Sequence, residues 1–265
     1  MDKTIELVNN VKDIHAMPTV IVKALNIMKK PTASMKELGD IVMYDQSLTI
    51  KFLALVNSAY YGFSQQISSI NIALSLLGMT KVKNIIVAVA MKPMMSNQGD
   101  KELWKHSMRV ASGCEYLANL TKIMDSDEAF IAGFVHDVGK IVLHITNEKL
   151  YAKVINAVEA GGNILDLEKK HFDSDHVKTG SLLAKRWQLP ILLANTITYH
   201  HSPNLSSIPV PCNLVCFVDK LVQTNFNPDA VDKDFCNTLG IDFEDLEDLR
   251  KAILQKAEVL ISELS

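Results

Sequence analysis

The sequence predicts an all-α protein, and three observations carry that prediction. Glycine is sparse, 11 in 265 residues. No Asn-Gly or Asp-Gly turn separates two alternating apolar segments, so the usual hairpin signal is missing. Apolar residues recur instead at three- and four-residue intervals through most of the chain, which is the spacing of one helix face.

The elements follow in order. Pro18 suits a first helical turn and is followed by apolar Val20, Ile21, Ala24, Leu25 and Met28. Ser34 can cap the next helix, with Glu37 three residues on completing a capping box. Asp45 precedes a helix apolar at Leu48, Phe52, Leu55, Val56 and Ala59. A short helix fits Ile70 to Leu77 and is stopped by Gly78, and Thr80 can cap another that ends near Met91, before Pro93. The polar, turn-prone stretch 96–100 is the best internal boundary, dividing the chain into units 1–95 and 96–265. Beyond it, helices are expected at about 101–123, 127–145, 148–160, 174–188, 190–201, 209–225 and 243–264. The acidic run from Asp242 to Asp248 suits a solvated helix start.

Composition narrows the function. Hydrophobic residues at 48% and charged residues at 22% are ordinary globular values, with room for a substantial core. Net charge is −3 and the basic residues are scattered, so nothing gathers a phosphate backbone and nucleic acid is not an expected partner. Cys114, Cys212, Cys216 and Cys236 form no C-x-x-C pair and are expected to be free thiols. Met1-Asp2-Lys3 has no basic n-region, and the run from Ile85 to Met91 is too short for a bilayer. A cytoplasmic location without membrane attachment is the expectation.

Polar residues inside apolar helices point to chemistry. In AFIAGFVHDVGKIVL, His136, Asp137 and Lys140 interrupt a stretch otherwise made for burial. A buried charge costs several kcal/mol unless it is paired or coordinated, and a His-Asp dipeptide most often forms a satisfied polar pair in a core. Further ligand-type side chains change that balance. Glu102 and His106 share a helix face at i, i+4; His176 follows Asp173-Ser-Asp175; His200 and His201 are adjacent; Asp219 is alone among apolar residues in VCFVDKLV. Imidazole and carboxylate suit Fe, Mn, Zn or Ni, and more than four of them could hold two ions that acidify a water and clamp a phosphoryl group. Lys140, one turn beyond His136, would face the same cavity and bind an anion; its alternatives are pairing with Asp137 or extending to solvent.

These residues resemble a known pattern. His106, His136-Asp137 and Asp219 are similar to the H…HD…D signature of the HD superfamily of metal-dependent phosphohydrolases. More closely, the chain resembles the HDOD family over nearly its whole length: Met17-Pro18, Glu37-Leu38 leading to Asp45, Leu53 through Asn57-Ser58-Ala59, Tyr60-Tyr61-Gly62, Ile67-Ser68-Ser69-Ile70 and Ala73 through Leu77-Gly78 in one half, then Trp104, His106-Ser107, AFIAGFVHDVGK, His176, Gly180, Trp187 to Pro190 and His200-His201 in the other. It departs at Asp45-Gln46, where the family pattern has Asp-Pro.

The resemblance implies an N-terminal helical bundle packed on an HD-like helical bundle, in a bacterial signalling module acting mainly through protein partners. Family members commonly have an eroded ligand set. This chain keeps His106, His136, Asp137, His176, His200, His201 and Asp219, with Glu102 one turn before the first, a set similar to that of HD-GYP phosphodiesterases. SPNLSSIPVP after His201 lacks the Glu and Gly-Tyr-Pro of those enzymes. Two readings therefore stand: a metal-binding interaction module in which Asn57, Ser58, Tyr60 and Tyr61 form an exposed recognition patch or pack on the core, and a metal-dependent phosphohydrolase or phosphodiesterase. In the second, Asp137 and Asp219 hold Fe, Mn or Zn, Lys140 stabilises developing charge, and the ligand contains phosphate. A metal or redox sensor built on the same site is a third.

Overall fold

All regular structure among the described residues is helical. The structure is a computed structural model and describes residues 3–11, 34–43, 46–58, 60–95 and 102–264, together with Ile21, Lys23 and Ile27, which are helical. The rest of the helix expected from Pro18 to Met28, Asp45, Ala59 and the junction at 96–100 lie outside the described residues.

Helix α1 (Lys3–Asn10) has no counterpart in the sequence-based expectations, and α2 (Met35–Met43) matches its own. The capping box is reciprocal: Glu37 N–H donates to Ser34 Oγ at 3.2 Å and Ser34 N–H to Glu37 Oε2 at 3.1 Å. After α3 (Gln46–Val56), Asn57 clamps the next loop. Its amide donates to the carbonyls of Leu53 and Ile67, and its Oδ1 accepts from Ile67 N–H at 2.7 Å. Helices α4 (Ile70–Leu77) and α5 (Met79–Met95) meet at a bend of 117°, made by Gly78 at φ +80°. Helix α5 runs through Pro93 rather than stopping before it, because a proline two residues from a helix end sacrifices only one backbone bond.

The second half holds α6 (Glu102–Thr121), α7 (Ser126–Val135), α8 (Gly139–Thr146), α9 (Glu148–Glu159), α10 (Ile164–Phe172), α11 (His176–Arg186), α12 (Ile191–Tyr199), α13 (Pro209–Leu221), α14 (Lys233–Leu239) and α15 (Leu246–Leu264). Asp125, Asn147, Asn163, Asp175 and Asp232 each cap a helix by accepting from backbone N–H groups two or three residues on.

The single helix expected over 127–145 is divided at 136–138. Val138 and Lys140 N–H groups bond to the Val135 and Asp137 carbonyls, three residues back rather than four. The backbone stays helical at His136 (φ −53°, ψ −38°) and Val138 (φ −55°, ψ −26°), so the break is a local tightening of one helical path.

The stretch Ser126–Thr146 is long and apolar enough to cross a bilayer, a length that the sequence reading missed by stopping at Ile85–Met91, but 78% of it is buried within the fold. It is the central layer. Helix α6 packs along α7, and α15 crosses both α6 and α3, so the C-terminal helix touches the N-terminal unit. Trp104 is fully buried, and its Nε1 donates to the Ala88 carbonyl across the two expected units. Helix α1 packs on α11 and α8, with Thr4 Oγ1 2.9 Å from Ser174 Oγ and Arg186 donating to Asn9. One apolar core runs through both halves.

Candidate metal centre

Five elements converge on one point beside α7. His106 comes from the second turn of α6, His136 and Asp137 from the break between α7 and α8, His176 from the first residue of α11, His200 and His201 from the end of α12, and Asp219 from α13. His136, Asp137, His176 and His200 are buried, at 1% exposure or less.

Asp137 occupies the middle and divides its two oxygens. Oδ2 is 3.4 Å from His106 Nε2 and 3.1 Å from His136 Nε2, while Oδ1 is 3.5 Å from His176 Nε2 and 3.7 Å from His200 Nε2. Asp219 Oδ1 lies 3.0 Å from His106 Nε2 and 3.9 Å from His136 Nε2. On the other side His176 Nε2 is 3.4 Å from His200 Nε2 and 3.0 Å from His201 Nε2. Two ligand groups result, His106–His136–Asp137 and His176–His200–His201, each with donor atoms within 4.8 Å of one another.

The hydrogen bonds behind these rings fix which nitrogen faces inward. His136 Nδ1 donates to the Gly133 carbonyl at 2.7 Å. His200 Nδ1 faces the Ile197 and Thr196 carbonyls at 3.1 and 3.2 Å, and His176 Nδ1 donates to Glu168 Oε2 at 2.7 Å. With the proton on Nδ1 in each ring, every Nε2 turns a lone pair toward the centre. Lone pairs facing one another repel unless a cation sits between them. For two of the clustered rings protonation does not relieve the repulsion: burial and neighbouring imidazoles push His200 well below the ordinary histidine range, and burial with His176 pushes His201 down to about 4.

Among the described residues, His106 Nε2, His136 Nε2 and Asp137 Oδ1 are buried without a well-aligned hydrogen bond, although His106 Nε2 is close to Asp219. Unpaired buried polar atoms are rare and expensive. Three of them around one point, in a nitrogen and oxygen donor set, fit Fe, Mn or Zn. Burial lowers the affinity of His106 for a proton, but the Asp137 and Asp219 carboxylates more than reverse this and raise it to about 9. Burial likewise opposes ionisation of both carboxylates, yet the neighbouring His136, Lys140 and His106 side chains hold Asp137, and His106 and His136 hold Asp219, below the usual carboxylate range. A net negative pair therefore faces the imidazoles, as a divalent ion requires.

Sequence reasoning missed Glu168, because no helix was expected over 164–172. Its side chain is fully buried. Oε2 accepts from both the backbone N–H and Nδ1 of His176, at 2.8 and 2.7 Å, and Oε1 accepts from Tyr151 Oη at 3.2 Å. A carboxylate behind a ligand histidine orients it and raises its basicity. The legible signal was Asn163, whose side chain caps α10 at Asp166 N–H.

Close backbone approach completes the site. A Cβ on Gly139 would lie 1.9 Å from the His176 carbonyl oxygen, and one on Gly180 would lie 2.7 Å from Ile197 Cγ2. Only glycine lets α8, α11 and α12 come near enough for His176 to reach Asp137. Glu102 is not brought into the cluster. Its exposed carboxylate accepts from Lys105 Nζ at 2.6 Å and lies 3.9 Å from Arg109, because the first turn of α6 points it outward. Lys140 Nζ sits 2.5 Å from Asp137 Oδ2, and that carboxylate and Asp219 keep it cationic despite burial.

The HDOD domain model matches residues 14–203. The chain belongs to the HDOD domain family. Two curated relatives are uncharacterised proteins: one of Treponema pallidum (strain Nichols), 26% identical over 205 residues, which cover 74% of this chain and 39% of the relative, and YuxH of Bacillus subtilis (strain 168), 33% identical over 100 residues, which cover 37% and 24%. The chain thus spans well under half the length of these relatives. Among solved structures, an HDOD domain protein of unknown function from Geobacter sulfurreducens aligns with TM-score 0.79 at 22% identity, covering 95% of this chain and 96% of that one. A protein of Shewanella amazonensis SB2B, described as a candidate phosphohydrolase, aligns with TM-score 0.76 at 21% identity, covering 99% and 98%. At those identities the likeness shows the HDOD helical fold.

Proposed function

We propose that this chain is an HDOD signalling module that carries a working two-ion phosphohydrolase centre. One observation supports the reading above the others: Asp137 turns one oxygen to the His106–His136 group and the other to the His176–His200–His201 group. Such a carboxylate is suited to bridge two ions. His106, His136, Asp137 and Asp219 would hold one, and Asp137, His176, His200 and His201 the other.

Two divalent ions supply Lewis acidity toward a phosphoryl group and a nucleophile from water near neutral pH. The protein's own residues do the rest. Glu168 and the Gly133 and Ile197 carbonyls hold three rings in the donor tautomer. The buried helix break keeps bulk water from the carboxylates. Lys140, cationic and at the edge of the centre, offers charge to an anionic group.

The test is elemental analysis of protein loaded with Fe(II) or Mn(II), followed by turnover assays on phosphomonoesters, generic phosphodiesters and cyclic dinucleotides. Two ions per chain with turnover abolished by Asp137→Asn are expected. Two ions and no turnover across the panel would sink catalysis and leave the second reading, a module acting through protein contacts alone. That second reading is favoured by one fact: among the described residues, the unit up to Met95 contributes no side chain to the ligand cluster.

A further inference from the structure

Next to the centre lies a cavity of about 180 Å³ whose wall is apolar: Met94, Leu103, Ile141, Ile145 and Ile155. His106 and Lys140 form part of the same lining, so the cavity and the ligand cluster share a boundary. Tyr151 and His144 close another side, their rings packed edge to face at 5.9 Å. His144 Nε2 is buried there without a hydrogen-bond partner. Glu102 is the acidic residue of the lining, and Lys105 and Arg109 offset its charge.

We propose that the centre takes a phosphate ester carrying one apolar group the size of a single aromatic ring, rather than a nucleotide. This rests on the reading of the cluster as an anion-binding metal centre. Size matches a single ring: an apolar cavity of about 150 Å³ holds a benzene molecule, and about 180 Å³ accommodates one ring or a branched alkyl chain. Chemistry agrees with size. The methionine and isoleucine walls offer nothing to the donor and acceptor edges of a nucleobase. Of the polar groups in the lining away from the centre, Tyr151 Oη and Glu102 are already engaged, which leaves His144 Nε2, so a base would lose most of its hydrogen bonds to water on entry. A phenyl or alkyl group loses none. At the other end Lys140 supplies positive charge, so the anionic and apolar parts of the ligand have separate places.

The probes are phenylphosphonate and methylphosphonate, which are not hydrolysed, with AMP as a third arm. Calorimetric titration of the Mn(II)-loaded full chain, its ion content measured beforehand, should give phenylphosphonate an affinity about tenfold or more above methylphosphonate, as expected for burying several additional carbons. AMP should bind no tighter than methylphosphonate. Ile155→Trp and Ile145→Phe both fill the cavity, and either should bring the phenyl-to-methyl ratio close to one. Equal affinities for the two phosphonates in the unmodified chain would overturn the ring-sized site while leaving anion binding at the centre intact. Tighter binding of AMP than of phenylphosphonate, or an unchanged ratio in both variants, would overturn it as well. Binding of neither phosphonate to fully loaded protein would overturn this inference and the metal-centre function together.

Discussion

Glu168→Gln isolates the role of a buried carboxylate that never touches the proposed ions. Glutamine has nearly the same shape, and its amide oxygen can occupy the position of Oε2, keeping the bonds from the His176 backbone N–H at 2.8 Å and Nδ1 at 2.7 Å. Its NH2 group would then face Tyr151 Oη, 3.2 Å away, where the phenol can rotate to accept. Only the charge is lost. A hydrogen bond to a charged group contributes roughly 1.5–3 kcal/mol against about 1 for a neutral one, so two such bonds weaken by about 1–3 kcal/mol together. That is about a 10- to 100-fold loss of affinity, the range known for residues behind metal ligands. The loss should fall on the ion held with His176, His200 and His201 and spare the one held with His106, His136 and Asp219. Competition against a chelator of known affinity resolves the two binding steps, and circular dichroism checks the fold. Two unchanged affinities would refute the argument that Glu168 tunes His176. Equal weakening of both steps in a folded protein would refute the division into two groups.

Gly139→Ala places a methyl group 1.9 Å from the His176 carbonyl. Helix α11 must move, costing about 2–3 kcal/mol or more, and thermal melting should show it alongside loss of the His176-side ion. Tyr60→Phe removes the phenol that donates to Glu115 and leaves that buried carboxylate to Lys81 and Lys256 at 3.7 and 3.8 Å. Urea denaturation should report about 1–3 kcal/mol of destabilisation. The pH dependence of metal-free protein follows from two opposed shifts. His106, lowered by burial but raised overall by Asp137 and Asp219 to about 9, binds a proton more tightly folded than unfolded. Its contribution is full below about 6.5, the unfolded value, and is lost as pH climbs through 9. His201, pushed down to about 4 by burial and His176, binds a proton less tightly folded, so stability falls as pH drops from about 6.5 toward 4. Melting temperature should therefore peak near neutral pH after chelation, and Mn(II) should remove the alkaline decline by replacing the His106 proton. Coincident curves with and without metal would contradict the assignment.

The parts of the fold carried by local chemistry were legible. Helical periodicity and the Ser34–Glu37 capping box stand where the residues put them. His136, Asp137 and Asp219 could be chosen from sequence because each is a costly residue in an apolar stretch, whereas His106, His176, His200 and His201 stood out as further ligand-type side chains and through the resemblance to the HDOD pattern. What was not legible depends on distant neighbours. The tightening at 136–138, where backbone bonds run three residues back instead of four, lies in a run that any periodicity measure joins. Glu102 shares a helix with His106 at the right spacing, but its side chain is exposed and Lys105 takes its carboxylate. Glu168 sits in a short helix of mixed polarity, EKKH, whose one apolar stripe gives no hint that the glutamate faces inward.

The motif NSAYYG bears on where a protein partner could bind. Its residues are used internally: Asn57 spends its amide on Leu53 and Ile67, the Tyr60 phenol donates to Glu115, and the Tyr60 and Tyr61 rings pack at 5.0 Å with Lys256 over Tyr60. Burial and the Glu115 charge raise both phenols above the ordinary tyrosine range, so neither ionises near neutral pH. Tyr60 and Tyr61 are thus partly buried where the two halves meet, whereas Asn57 stays exposed. Glu115 and His106 lie on the same helix, nine positions apart, or about 14 Å along it. The N-terminal unit thus grips the element that presents the first ligand histidine.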